Sequence, residues 1–120
     1  MVLNRDEINR TLGALESKIQ VAKLCVSRNW SLEDFMEILN NIKTHCDFLL
    51  NKLGTGRNDD IMLRNIGGLQ SSINPLFSMV KSNRPTEDYI KLLESAEEYR
   101  QSIDDAIQRE PLEGREINKI

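Results

Sequence analysis

Apolar residues recur at steps of three and four in four separate segments of this chain. A step that averages about 3.5 residues keeps one side of an α-helix turned toward a neighbouring helix, so each segment predicts an amphipathic helix. The fourth segment is less regular because a charged residue interrupts its stripe. The four predicted stripes are Ile8, Leu12, Leu15, Ile19, Ala22 and Val26; Phe35, Leu39, Ile42, Cys46, Leu49 and Leu53; Met62, Ile66, Leu69, Ile73, Leu76 and Val80; and Tyr89, Leu93, Ala96, Arg100, Ile103 and Ile107. In the fourth segment a parallel set fits equally well: Leu92, Ala96, Tyr99, Ile103 and Ala106.

Capping residues place the ends of these helices. Ser31 can cap the second helix, with Trp30 and Phe35 positioned to pack across the cap as a hydrophobic staple. Gly54 is suited to end that helix, and Thr86 is suited to cap the fourth. The predicted helices therefore cover residues 5–28, 32–53, 59–82 and 87–109.

Four long helices with short connections predict an all-α fold, an antiparallel up-down-up-down four-helix bundle. We expect residues 1–110 to form this single domain and residues 111–120 to form a flexible C-terminal tail, because Pro111 cannot continue the fourth helix. A bundle completed in a dimer, with one helical hairpin from each of two chains, fits the same pattern.

The third helix contains two irregularities. Gly67 and Gly68 remove side chains from its middle, and Pro75 lacks the amide hydrogen that would bond to the carbonyl of Ser71. We therefore expect this helix to be kinked or broken between Gly67 and Pro75. Such a segment could form a groove or a hinge.

The charge distribution is uneven along the chain. Net charge is −3, and aromatic residues make up only 5% of the 120 residues, so aliphatic side chains must build the core. Residues 1–58 carry 8 basic and 7 acidic side chains, whereas residues 59–120 carry 8 basic and 12 acidic ones. This balance argues against a nucleic-acid partner, because affinity for phosphates comes largely from Lys and Arg.

The cysteines and the hydropathy indicate a compartment. Cys25 and Cys46 lie in apolar helical stretches without a C-x-x-C spacing, which predicts buried free thiols in a reducing environment. The chain has no signal-peptide pattern at its start and no run of about 18 apolar residues that could cross a membrane. We expect a cytoplasmic protein that does not contact a membrane.

No set of residues predicts catalysis, a metal site or a cofactor. His45 is the only histidine, and it has no Glu three residues before it, as the metal sites of helical bundles use. Histidine phosphotransfer domains usually carry a Lys three residues after the histidine and a Gly just beyond, but here Phe48 and Leu49 occupy those places. We therefore predict that the protein is not an enzyme.

The leading functional hypothesis is a non-enzymatic protein–protein interaction module. Such a small regulator, inhibitor or adaptor would bind another protein or a second copy of itself. Two alternatives stay open: a small-ligand or effector sensor with its pocket near the irregular third helix, and phosphotransfer through His45.

The candidate partner-binding residues are aromatic, apolar and loop residues, and one of them, Tyr89, is also a member of the fourth stripe. Trp30 is the single tryptophan, and tryptophan is enriched at binding hot spots. Further apolar residues lie off the main stripes; some could widen the core face, and others could form an exposed patch. They are Val21, Leu24, Met36, Ile38, Phe48, Leu50, Leu63, Phe77 and Ile90. The predicted partner-binding residues are Trp30, Met36, Arg57, Phe77, Tyr89 and Tyr99.

Overall fold

The computed structural model of the protein describes residues 5–28, 31–54, 60–82 and 84–109. These residues form four α-helices and no strand, which confirms the all-α prediction. Trp30, Arg57 and the predicted tail, 111–120, lie outside the described residues. The helices are α1 (Arg5–Ser27), α2 (Leu32–Gly54), α3 (Asp60–Met79) and α4 (Thr86–Arg109).

Each helix packs against two neighbours, so that the four form a closed ring around one core. The predicted stripes supply this core, in which no apolar side chain is more than 3% exposed. Val80 is the exception among the stripe residues, because it follows the end of α3 and is only partly buried. Full burial of each aliphatic side chain contributes about 1.5–3 kcal/mol, and this apolar burial is what holds the helices together.

Contacts across the bundle join the start of one helix to the end of another. Glu7, near the start of α1, lies 3.8 Å from the ammonium of Lys52, near the end of α2. Asn9 accepts a hydrogen bond of 3.0 Å from Gln108, near the end of α4. The antiparallel up-down-up-down order stays a prediction.

The N-terminus of α2 is capped as predicted. The hydroxyl of Ser31 accepts a hydrogen bond of 3.3 Å from the amide of Asp34, and its carbonyl accepts one of 3.0 Å from the amide of Phe35. This cap sets the rotation of the first turn, in which Phe35 enters the core and Leu32 stays on the surface.

The third helix is continuous through its irregular segment. Gly67 and Pro75 both lie within α3, so the predicted break is absent, while the kink stays a prediction. The helix ends at Met79 and not at residue 82, because the next residues form a tight turn. The amides of Lys81 and Ser82 donate to carbonyls three residues back, at 3.1 and 2.9 Å.

Small residues bring α3 and α4 close together along what we call the α3–α4 seam, formed by Gly68 and Ser72 on α3 and Ser95 and Tyr99 on α4. The ring of Tyr99 covers Gly68 so closely that a Cβ atom there would overlap the ring carbons. Ser72 is buried; its hydroxyl donates to the carbonyl of Gly68 and pairs with the hydroxyl of Ser95, both at 3.0 Å. This seam therefore depends on the absence of larger side chains.

A buried arginine dominates the opposite side of α4, the α1–α4 seam. The side chain of Arg100 is 3% exposed although it occupies a core position. It donates two hydrogen bonds to the carboxylate of Glu97, at 2.7 and 2.8 Å, and others to Asp104 and Gln101. Glu16 of α1 lies 3.7 Å away. The hydrogen bond with Glu97 is the main reason that the pKa of Arg100 is raised, so the guanidinium stays charged.

Candidate partner-binding surface

Three of the sequence-predicted partner-binding residues are partly buried. Met36 on α2 and Phe77 on α3 both pack against the edge of the core with part of their surface open. Tyr99 is partly buried because its ring lies on Gly68. All three therefore contribute both to the fold and to the outer surface.

Tyr89 is placed differently, in the core at the start of α4. Only 2% of its surface is exposed, and its ring meets that of Phe35 edge to face at 5.9 Å. Its hydroxyl donates a hydrogen bond of 2.8 Å to the carbonyl of Met79. Nearly all of this side chain is thus already covered by α2 and α3 of the same chain.

The exposed apolar residues lie mainly on α1 and α2. Among the described residues, five large apolar side chains are between 40% and 64% exposed. Val21 and Leu24 are three residues apart on α1 and so share one side of that helix. Leu32 is four residues before Met36 on α2, and these two also share a side. The exposed side chains are Val21, Leu24, Leu32, Leu50 and Ile61.

Three of these residues, together with the partly buried Met36, make up what we call the α1–α2 surface: Val21 and Leu24 on α1, with Leu32 and Met36 on α2. The two pairs lie at one end of the bundle, because only residues 28–31 separate the two helices. A shallow depression, open to solvent, extends from it over the outer side of α2. The depression is lined by Leu32, Glu33, Met36, Glu37, Asn40 and Asn41.

This depression differs from a small-molecule site. Ligand pockets are concave and are usually formed between several structural elements, whereas all the residues that line this one belong to α2. A flat surface with apolar and acidic side chains is better suited to a protein than to a small ligand. The sensor hypothesis, with its pocket near Gly67 and Pro75, stays a prediction.

The outer side of α4 has the opposite character. Its exposed residues recur at steps of three and four, as those of α1 do, but every one of them is charged or polar. One side of the bundle is therefore partly apolar while another is entirely polar. The exposed α4 residues are Thr86, Glu87, Lys91, Glu94, Glu98, Gln101, Ser102, Asp105, Gln108 and Arg109.

Sequence reasoning missed Leu32 and Ile61, the two most exposed of the apolar side chains. Both lie in the first turn of a helix, next to the stripe and not on it. The sequence signal that could have identified them is an apolar residue in the first turn of a helix, at a position that faces away from the core stripe. Leu32 lies three residues before the core residue Phe35, and it belongs neither to the predicted stripes nor to the predicted apolar residues off the stripes.

His45 and the two cysteines are partly or wholly withdrawn from solvent. Burial, and then the ammonium of Lys18 on α1, lower the pKa of His45, so the ring is neutral at pH 7. Burial, and then the charge of Asp47, raise the pKa of Cys46 to about 12, which keeps its thiol protonated. Cys25, predicted to be buried, is only partly so, and both thiols are free. Phosphotransfer through His45 stays a prediction.

In the part of the chain that the structure describes, no group of three or more His, Cys, Asp or Glu side chains could hold a metal ion. None of the four described helices combines the length and the apolar character needed to cross a bilayer. Neither a protein-family model, nor a curated protein, nor a solved structure matches this chain.

Proposed function

We propose that this protein is a non-enzymatic interaction module, a small regulator, inhibitor or adaptor, that binds another protein through the α1–α2 surface. The observation that supports this most is the exposure of Val21, Leu24 and Leu32, at 43%, 51% and 55%. These aliphatic side chains lie on helices whose core stripes are already complete. The fold therefore does not need them.

Their grouping is what makes these side chains informative. A single exposed aliphatic residue is common on protein surfaces and needs no explanation. Here the apolar side chains occur as one pair on α1 and one pair on α2, near the adjoining ends of the two helices, and apolar side chains that cluster on a surface are typical of binding sites. The polar outer side of α4 is the internal comparison, since the exposed side chains of that helix are all charged or polar.

The surface is also suited to binding without a large ordering cost. Val21 and Leu24 lie within α1, and Leu32 and Met36 lie within α2, so packing against the core holds all four backbones. Binding therefore costs little conformational entropy on this side of the interface. A few central apolar residues usually supply most of the binding free energy, which favours these four as the contact centre.

Capture of binding partners tests the proposal. Wild-type protein, the variant Leu24→Glu with Leu32→Glu, and the control Ser102→Glu would be immobilised and exposed to a native lysate. Ser102 is exposed on α4, so the control adds a negative charge away from the α1–α2 surface. We expect the double variant to lose the proteins that the wild type and the control both retain, as quantified by mass spectrometry.

Thermal unfolding followed by circular dichroism shows whether the variants keep the fold. Both substituted leucines are exposed, so the double variant should melt close to the wild type. If a folded double variant retained the same proteins in the same amounts, the α1–α2 surface would not be the binding site.

A further inference from the structure

The apolar residues on the outside of α2 lie on the side of that helix that faces α3. α2 packs against α1 and α3, and Lys52 marks its α1 side, because the ammonium lies 3.8 Å from Glu7. Leu32 precedes Lys52 by 20 residues, about five and a half turns, so it lies on the opposite side of α2. Leu50 follows Leu32 by 18 residues, about five full turns, and Met36 follows it by four. All three therefore share the α3 side.

The facing side of α3 is apolar at both of its ends. Gly68 and Ser72 mark the α4 side of this helix, since both contact α4 along the α3–α4 seam. Phe77 follows Gly68 by nine residues, and Leu63 precedes Ser72 by nine, which is about two and a half turns in each case. Phe77 and Leu63 therefore lie on the opposite side, toward α2. Gly67 shares this side, four residues after Leu63.

Two contacts bring the start of α2 next to the end of α3. The ring of Tyr89 meets that of Phe35, in the first turn of α2, at 5.9 Å. The hydroxyl of Tyr89 donates a hydrogen bond of 2.8 Å to the carbonyl of Met79, the last residue of α3. The apolar residues at the start of α2 therefore lie at the same end of the bundle as Phe77.

These residues form a line between the two helices that we call the α2–α3 seam. Leu50 and Leu63 lie at its other end, because only residues 55–59 separate the two helices. Between the ends the surface is open over Gly67, where an added Cβ atom would meet nothing within 4 Å. The seam consists of Leu32, Met36 and Leu50 on α2, with Leu63, Gly67 and Phe77 on α3.

Negative charge borders one end of this seam. Residues 65–80 contain no charged residue, so α3 contributes little charge along most of its length. Glu33 and Glu37 on α2 are exposed, and they line the shallow depression beside Leu32 and Met36, which has no basic residue in its lining. No ion pair within the described ranges uses either glutamate. Both carboxylates are therefore available to a molecule that covers the seam.

We propose that the α2–α3 seam binds one amphipathic helix of a partner protein, with basic residues at the end that reaches Glu33 and Glu37. A helix fits because two neighbouring helices leave a groove between them. Leu32 and Leu50 are about 27 Å apart along α2 at 1.5 Å per residue, so a partner helix of about 18 residues covers both. The open surface over Gly67 lets its backbone come close. This inference rests on the proposed function and names the kind of partner.

Two synthetic peptides, followed by fluorescence anisotropy, test the chemistry of this partner. Both form helices of about 18 residues with leucines along one side; one carries lysines at one end, and the other carries glutamates in the same places. We expect the wild type to bind the lysine peptide about tenfold more tightly, with added salt reducing the difference. The variant Glu33→Lys with Glu37→Lys should reverse the preference.

Two single variants separate the α2–α3 seam from the α1 part of the α1–α2 surface. Leu50 is 40% exposed and lies on the seam, whereas Leu24 is 51% exposed and lies on α1. Leu50→Glu should weaken binding of the lysine peptide about tenfold, because it places a charge against the leucines of the peptide. Leu24→Glu is the matched control and should leave the affinity unchanged. Circular dichroism should show that both variants melt as the wild type does, since both leucines are exposed.

Equal affinity of the wild type for the two peptides would overturn this inference, and so would no binding of the lysine peptide at millimolar concentration. Equal losses for Leu50→Glu and Leu24→Glu would also overturn it. A wild type that dimerises in sedimentation equilibrium, while Leu50→Glu stays monomeric, would show that the seam holds a second copy instead. None of these results affects the proposed function, which fails only if the folded variant with Leu24 and Leu32 replaced keeps its captured proteins.

Discussion

The two sides of α4 are joined to their neighbours by different physical means. On the α1–α4 seam, Arg100 occupies a core position because Glu97 and Asp104 supply hydrogen bonds at the rim, where both carboxylates are partly exposed to water. On the α3–α4 seam, Tyr99 occupies the space that a side chain at residue 68 would need. The first seam depends on charge and the second on shape. We expect the α3–α4 seam to tolerate substitution less well than the α1–α4 seam. Water can solvate a charged group that loses its partner, but it cannot relieve an overlap between packed atoms.

The largest effect should come from filling the space under Tyr99. Gly68→Val places branched carbon atoms where the tyrosine ring lies, and overpacking of this kind costs up to about 3 kcal/mol of unfolding free energy. Urea denaturation followed by circular dichroism would measure it. Gly67→Val is the matched control, because a Cβ atom at Gly67 would have open space around it.

The control should be neutral or slightly stabilising, since valine has a higher helix propensity than glycine. Adding Tyr99→Ala to the Gly68→Val variant should recover part of the lost stability by removing the ring that clashes. Equal stability of the two valine variants would show that the ring swings aside without cost, and the contrast between the seams would then disappear.

The next effect should come from the buried charge. Arg100→Ala removes the guanidinium and its packed stem, and we expect a loss of about 2 kcal/mol. The loss stays below that for a fully buried pair because Glu97, Asp104 and Glu16 are 24%, 31% and 56% exposed and can be rehydrated. Arg100→Met keeps most of the apolar stem and should lose clearly less. Chemical denaturation of both variants is the measurement, and equal losses would mean that the charge itself matters more than the packing.

A smaller effect should follow from removing one hydroxyl of the α3–α4 seam. Ser72→Ala loses the hydrogen bonds to Gly68 and Ser95, and alanine's higher helix propensity offsets part of that loss. We expect a net loss of about 0.5–1 kcal/mol, measured by thermal unfolding. Ser71→Ala, at the exposed neighbouring position, should lose nothing. A Ser72→Ala variant as stable as the Ser71→Ala control would show that this seam depends on shape alone.

The smallest effect should come from the rim of the α1–α4 seam. Glu16 is more than half exposed and lies 3.7 Å from Arg100, which already has closer partners on α4. Glu16→Gln should therefore change the unfolding free energy by less than about 0.5 kcal/mol, and high salt should reduce the change further. A loss as large as that of Arg100→Ala would mean that α1 and not α4 holds the guanidinium.

Sequence reasoning located the helices because their signals are local. The cap at Ser31 and the stripe that begins at Phe35 each depend on residues within a few positions of one another, and the structure has both. The end of α3 was placed too late, since Val80 continues the apolar spacing although the backbone has already turned. Periodicity reports which side of a helix is apolar, but it does not report where the hydrogen bonding stops.

The candidate site was predicted less completely. Val21 and Leu24 were recognised as apolar residues outside the stripe, and the structure leaves both exposed. Phe77, which has the same signal in the sequence, is partly buried against the core. The difference arises because a side chain outside the stripe is buried only where a neighbouring helix covers it. That coverage depends on residues far away in the chain.

The sequence alone determined four amphipathic helices and the residues of their shared core, because hydrophobic burial follows the helical period. Only the tertiary structure decided that Tyr99 would cover Gly68, that the position of Arg100 would be buried between α1 and α4, and that Val21, Leu24 and Leu32 would stay exposed. Each of those outcomes depends on the rotation and register of one helix against another, and no local pattern encodes them.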